Sequence, residues 1–68
     1  MKYLVIVEGT EGTYRAYSPD LAGCVAAGDT RAETLDLMRE AIEAHLEGSR
    51  EDGLPLPDAT STAEYVAV

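Results

Sequence analysis

The side chains with chemical potential in this 68-residue sequence are one histidine, one cysteine and thirteen carboxylates. His45 is the sole imidazole available as a general base. Nucleophilic catalysis needs a hydroxyl or thiol held within hydrogen-bond reach of such a base. No Ser or Cys stands at a spacing that forces contact with His45. It falls among Met38, Ala41 and Ile42 and reads as a core or boundary residue of a helix. Cys24 has no neighbouring cation or base that would lower its thiol pKa, so it reads as a small buried apolar side chain. One Cys and one His do not make a zinc site, and a lone Cys excludes an internal disulfide. No catalytic residue, metal site or cofactor is expected.

Carboxylates do chemistry when several converge on divalent ions. Here the middle of the first apolar segment is Leu4-Val5-Ile6, with Glu8 at its end. Glu64 and Glu40 have no evident partner, and solvated surface acids are the simpler reading. Gly9-Thr10-Glu11-Gly12 lacks the lysine and the following helix of a phosphate loop, so it reads as a turn.

The elements that must position these groups follow from the pattern. Tyr3 to Val7 is a β-branched and aromatic run, apolar on both faces, which predicts a central strand covered on both sides. The Gly9–Gly12 turn leads into an alternating segment, Thr13 to Tyr17, which predicts an antiparallel hairpin. Ser18-Pro19-Asp20 interrupts it, and Gly23 to Ala27 predicts a third strand with small residues suited to an edge. Thr30 and Glu33 have capping-box spacing and open a helix. Leu35, Met38, Ala41, Ile42, His45 and Leu46 form its buried stripe, opposite Glu33, Asp36, Glu40, Glu43 and Glu47. Arg39 is placed to pair with Asp36 and Glu43, and Gly48 is the expected stop. Leu37 lies about 120° from the stripe, a lone exposed leucine or an aid to a docking partner. After the loop from Ser49 to Pro57, Thr62 to Val68 alternates as a fourth strand.

The expected fold is α+β, a single domain of order β-β-β-α-β over residues 1–68. Three strands are antiparallel and the last lies parallel to strand one, in sheet order 3-2-1-4, by a right-handed crossover. This order resembles part of an RNase H-like fold. One helix covers one face only. The other face would leave apolar side chains in water, which predicts a homo-oligomer through the uncovered sheet face.

Thirteen acidic against five basic residues give a net charge of −8. Phosphate binding needs clustered cations, so direct nucleic-acid binding is not expected. Acidity suits a basic partner, or serves solubility alone. No apolar run has the length of a membrane span, no signal-peptide pattern is present, and a cytoplasmic location is expected.

The segment Tyr17-Ser18-Pro19-Asp20-Leu21-Ala22-Gly23-Cys24-Val25-Ala26-Ala27-Gly28-Asp29-Thr30 resembles the HicB-like antitoxin family, which shows a Pro-Asp-Leu-x-Gly-Cys segment and then Gly-Asp-Thr opening a helix. Ala32-Glu33, Glu40-Ala41-Ile42-Glu43 and Leu46-Glu47 extend the similarity. The motif maps onto Pro19, Asp20, Leu21, Gly23, Cys24, Gly28, Asp29 and Thr30, most of which have structural reasons to be there. The resemblance implies a partial RNase H-like, HicB-like fold. It also implies a binding module that neutralises a HicA-type toxin, a small basic mRNA-cleaving ribonuclease, by occlusion. The residues expected to meet such a partner are Asp20, Asp29, Glu33, Asp36, Leu37 and Glu40. The helix-turn-helix or ribbon-helix-helix module of many members is not seen in these residues. Two rival readings stay open: an orphan HicB-like homo-oligomer with a regulatory or ligand-binding role, and a degenerate RNase H-like nuclease.

Overall fold

A computed structural model describes residues 1–68. The elements are β1 (Ile6–Glu8), β2 (Tyr14–Tyr17), β3 (Val25–Gly28) and α1 (Arg31–Glu51). The sheet is antiparallel with order β1-β2-β3. Its register sets Ile6 opposite Tyr17, Glu8 opposite Arg15, Arg15 opposite Ala27 and Tyr17 opposite Val25. The hairpin forms as the glycines predict. Thr13 N–H donates to Thr10 O at 2.9 Å, and Gly12 takes φ +86°. A Cβ on Gly9 would collide with the Thr13 carbonyl oxygen. Gly12 N–H also donates to Asp29 O at 2.7 Å, tying the hairpin tip to the entry of the helix.

The expected strand one is shortened from its start. Continuing the register would set Leu4 opposite Pro19, which has no N–H to give to a ladder, so pairing begins at Ile6. The fourth strand is not formed. Residues 54 to 68 contain no regular structure, and β1 is therefore an edge strand rather than a central one. The alternation of Thr62 to Val68 supplies the side-chain pattern of a strand, but no neighbouring ladder within the chain takes it up.

The helix runs through Gly48 and stops at Asp52. Gly48 is tolerated because its neighbours keep bonding: Asp52 N–H reaches Gly48 O at 3.1 Å. The stop is at Gly53, φ +70°, whose N–H donates to Arg50 O at 3.1 Å while Leu54 N–H donates to Ser49 O at 2.9 Å. That pair of bonds satisfies the last carbonyls in a Schellman arrangement. At the other end Glu33 N–H donates to Thr30 Oγ1 and Asp29 N–H to Glu33 Oε2, each at 3.1 Å, completing the capping box.

The core lies between the sheet and the helix. Ala16, Leu21, Cys24, Met38 and Leu46 are buried, with Tyr3, Val5, Val7, Ala26, Ile42 and Leu56 packed around them. At about 1.5 Å per residue the helix is far longer than four-residue strands. Tyr3 and Leu56, both outside the sheet, pack against the core cluster that includes Leu46 of the helix. Two hydrogen-bonded tethers hold the segment after the helix. Tyr3 Oη donates to Pro57 O at 2.7 Å, and Asp20 accepts from Thr60 and Ser61. Ser18 is buried, and its hydroxyl has no hydrogen-bond partner.

Candidate partner-binding surface

The sequence marks six residues for a partner, and the structure divides them. Asp20 sits in the β2–β3 connection and is turned towards its own chain. Its Oδ1 accepts from Ser61 Oγ at 2.8 Å and Thr60 Oγ1 at 3.3 Å, and its Oδ2 accepts from Ser61 N–H at 3.1 Å. The Ser61 hydroxyl bond, followed by the Ser61 backbone bond, holds the Asp20 carboxyl below its ordinary value. Glu33 is engaged in the capping box. Asp29, Asp36, Leu37 and Glu40 are exposed. The last three share the outward surface of the helix, one turn in extent, because positions i, i+1 and i+4 cluster on one side.

No counter-cation quenches that surface. The expected pairs of Arg39 with Asp36 and Glu43 do not form, and the sole ion pair is Arg50 with Glu47 at 3.9 Å. The outward helix is therefore an acidic strip interrupted by the half-exposed Leu37, a pattern that suits a basic partner with an apolar notch.

The motif residues divide between core and surface, with Pro19, Gly23, Asp29 and Thr30 exposed. Leu21 and Cys24 are buried in the core, and burial pushes the Cys24 thiol up. Gly23 takes φ +83° in the turn before β3. Pro19 starts the bend between β2 and β3. Gly28 lets the helix approach β3 closely: a Cβ there would lie 2.8 Å from Thr34 Oγ1 and 3.3 Å from Thr34 N. Thr34 itself was not among the expected stripe residues, yet it is fully buried and donates to Thr30 O at 2.7 Å. Its position four before Met38 and four after Thr30 is the signal that places it on the inner face.

A second surface is the bare side of the sheet. Ile6, Glu8, Arg15, Tyr17, Val25 and Ala27 alternate onto it by register. Val25 is 67% exposed and Tyr17 42%. They border a shallow depression of about 540 Å³. A third is an apolar groove of about 430 Å³ between the segment that precedes β1, at Tyr3 and Val5, and the helix residues Leu35, Ile42 and Leu46. No three His, Cys, Asp or Glu side chains come together to hold a metal ion, and no helix is long and apolar enough to cross a membrane.

This geometry has relatives. The HicB-like antitoxin of bacterial toxin–antitoxin systems matches residues 3–68. A chain of the HicA3 and HicB3 toxin–antitoxin complex superposes with a TM-score of 0.71 at 32% identity, covering 88% of this chain and 70% of that one. A UPF0150 protein of Thermoplasma acidophilum is 38% identical over 69 aligned positions, covering 100% of this chain and 97% of the relative. An uncharacterised 14.9 kDa protein of Haemophilus phage HP1, from its rep-hol intergenic region, is 36% identical over 66 residues; these span 97% of this chain and only 50% of that protein. The α+β core of three antiparallel strands and one helix, with its Pro-Asp-Leu-x-Gly-Cys and Gly-Asp-Thr segments, therefore has both a sequence and a structural counterpart, and the chain belongs to the HicB-like antitoxin family.

Proposed function

We propose that this chain is a binding module that neutralises a HicA-type, mRNA-cleaving toxin by protein–protein occlusion and has no enzymatic activity of its own. The acidic strip of Asp36, Leu37 and Glu40 carries the reading: it is exposed and free of ion pairs on a chain of net charge −8. A ribonuclease that grips the phosphate backbone must present cations, and an acidic surface competes for the same cations. Asp29 lies near the helix entry and extends the negative field. Asp20 and Glu33 act indirectly, one by holding the segment after the helix and the other by capping it. Because the chain is acidic, it does not grip RNA itself.

The test is titration of the intact chain into a purified HicA-type ribonuclease, with cleavage of a labelled mRNA as the readout. Stoichiometric inhibition is expected, and Asp36→Lys with Glu40→Lys should weaken it at least tenfold and reduce its salt dependence. An unchanged cleavage rate at excess chain would overturn the proposal.

The bare sheet face favours a second reading, an orphan HicB-like homo-oligomer with a regulatory or ligand-binding role. Exposed Val25 and Tyr17 would be its contact. Loss of self-association in Val25→Asp, with no toxin inhibition by the wild-type chain, would support it over the first reading.

A further inference from the structure

The segment before β1 and one side of the helix enclose an apolar groove of about 430 Å³. Ladder pairing starts only at Ile6, so Tyr3 and Val5 precede the sheet and share one side of their segment by alternation. Leu35, Ile42 and Leu46 face them from the helix at helical spacing. Leu46 is buried, whereas Tyr3, Val5, Leu35 and Ile42 are only half-buried. The core therefore runs out to the surface here and is left uncovered.

The rim of the groove is charged and its surroundings are acidic. Arg39 and Glu43 stand on the rim, both exposed. The neighbouring rows of the helix carry exposed Asp36, Glu40 and Glu47, and Arg50 is taken up by Glu47 at 3.9 Å. Arg39 is thus the one cation not in an ion pair against four carboxylates on this part of the helix, and the field around the groove is negative. At about 100° of turn per residue, the groove flanks the Asp36 and Glu40 strip on one side and Leu37 flanks it on the other. We propose that the groove receives an aliphatic or aromatic side chain from a segment of a basic protein, with neighbouring Lys or Arg side chains reaching Glu43 and the acidic rows beyond it. Resting on the role proposed above, in which the chain occludes a basic ribonuclease, this contact supplies its apolar anchor.

Charge selects this occupant over the others. An anchor seated in an apolar pocket carries much of the energy of a protein contact, and the charges around it steer the encounter and reject partners of the wrong sign. A second copy of this chain would bring a net charge of −8 to an acidic rim. The chain's own exposed residues 62–68 have Glu64 as their sole charged side chain, which the same rim repels. A nucleic-acid strand would meet carboxylates where it needs cations. An apolar side chain set between cations matches both the floor and the rim.

The test is inhibition of a purified HicA-type ribonuclease by the intact chain and its variants, with circular dichroism to confirm that each variant keeps its helix. Ile42→Asn sets an amide on the groove floor and should raise the inhibition constant about tenfold or more, the scale of a single interface anchor. Glu43→Arg should raise it as much. Arg39→Glu removes the cation from the rim and should lower it about threefold or more. The last two residues are exposed, so they test the groove even where Ile42→Asn fails to fold. Glu11→Lys, at the hairpin turn, changes the net charge as much as Glu43→Arg does and should leave the constant within about twofold, which separates the groove from the charge of the whole chain. Failure of the wild type to inhibit overturns the functional role and the groove contact together. Full inhibition by folded Ile42→Asn or by Glu43→Arg overturns the groove contact alone, as does an Arg39→Glu chain that inhibits no better than the wild type. If Ile42→Asn lowers the mass seen by light scattering while inhibition stays intact, a second copy fills the groove, and the contact proposed here is overturned as well.

Discussion

Asp20 and Ser61 are 41 residues apart in sequence and joined by two hydrogen bonds, 2.8 Å from the serine hydroxyl and 3.1 Å from its N–H. The carboxylate thus links the β2–β3 connection to the segment that follows the helix. It sets where the exposed residues 62–68 begin.

The link is pH-dependent in a defined direction. Hydrogen bonds from Ser61 favour the charged carboxylate and hold its pKa below the 3.8 of an unperturbed aspartate. A group depressed in the folded state contributes stability that is fully present above the unfolded value and lost as pH falls through the folded one. The protection factor of the Ser61 amide, its exchange relative to an unstructured amide at the same pH, should therefore be high near neutrality and fall as pH drops below the ordinary aspartate range. Asp20→Asn should show little protection at Ser61 at any pH while protection in the helix is unchanged. Equal protection of Ser61 in the variant and the wild type at neutral pH would contradict the assignment.

Gly28 and Thr34 fix the distance between helix and sheet. Gly28→Ala sets a methyl carbon 2.8 Å from Thr34 Oγ1, so one of them must shift. Overpacking of this kind costs about 1–3 kcal/mol. Thr34→Ala removes the near atom while leaving the Thr34 amide at 3.3 Å. The double variant should be more stable than the sum of the two single losses, because residues in contact do not add. Urea unfolding of the four proteins measures the coupling, and strict additivity would show that the contact is not strained.

Two glycines five residues apart should respond oppositely to alanine. Gly48 lies inside the helix with open space where a Cβ would go, so Gly48→Ala should stabilise by about 0.5–1 kcal/mol. Gly53 takes φ +70°, a conformation that costs an L-residue about 1–2 kcal/mol, so Gly53→Ala should destabilise by that amount. Thermal unfolding should move the two midpoints in opposite directions. A gain of stability in Gly53→Ala would contradict the position of the helix end.

Which parts of this architecture could be read from residue order follows from how local their causes are. The hairpin and the capping box each depend on residues within four positions of one another, so Gly12, Thr30 and Glu33 were sufficient to place them. The helix passes Gly48, the stop its sequence predicts, because a glycine is compatible with both a helix interior and an end. Only the hydrogen bonds of Gly53 and Leu54 distinguish the two. Thr62 to Val68 predicts a fourth strand that the structure does not show, because alternation describes a surface and not a ladder partner. Asp20 reads in the sequence as a partner-facing acid because its donors lie 40 and 41 residues downstream. Asp36, Leu37 and Glu40 were legible as a group because helix spacing alone puts them on one side.

The outer edge of β3 has a further consequence. Val25-Ala26-Ala27-Gly28 carries no lysine, proline or inward charge of the kind that keeps bare strands from pairing edge to edge. The defence against such growth is the mutual repulsion of molecules at net charge −8. Acidification towards the isoelectric point near 4.2 removes it. Storage and crystallisation near that pH should favour fibrous or gelled material, whereas neutral buffer of low ionic strength keeps the chains dispersed.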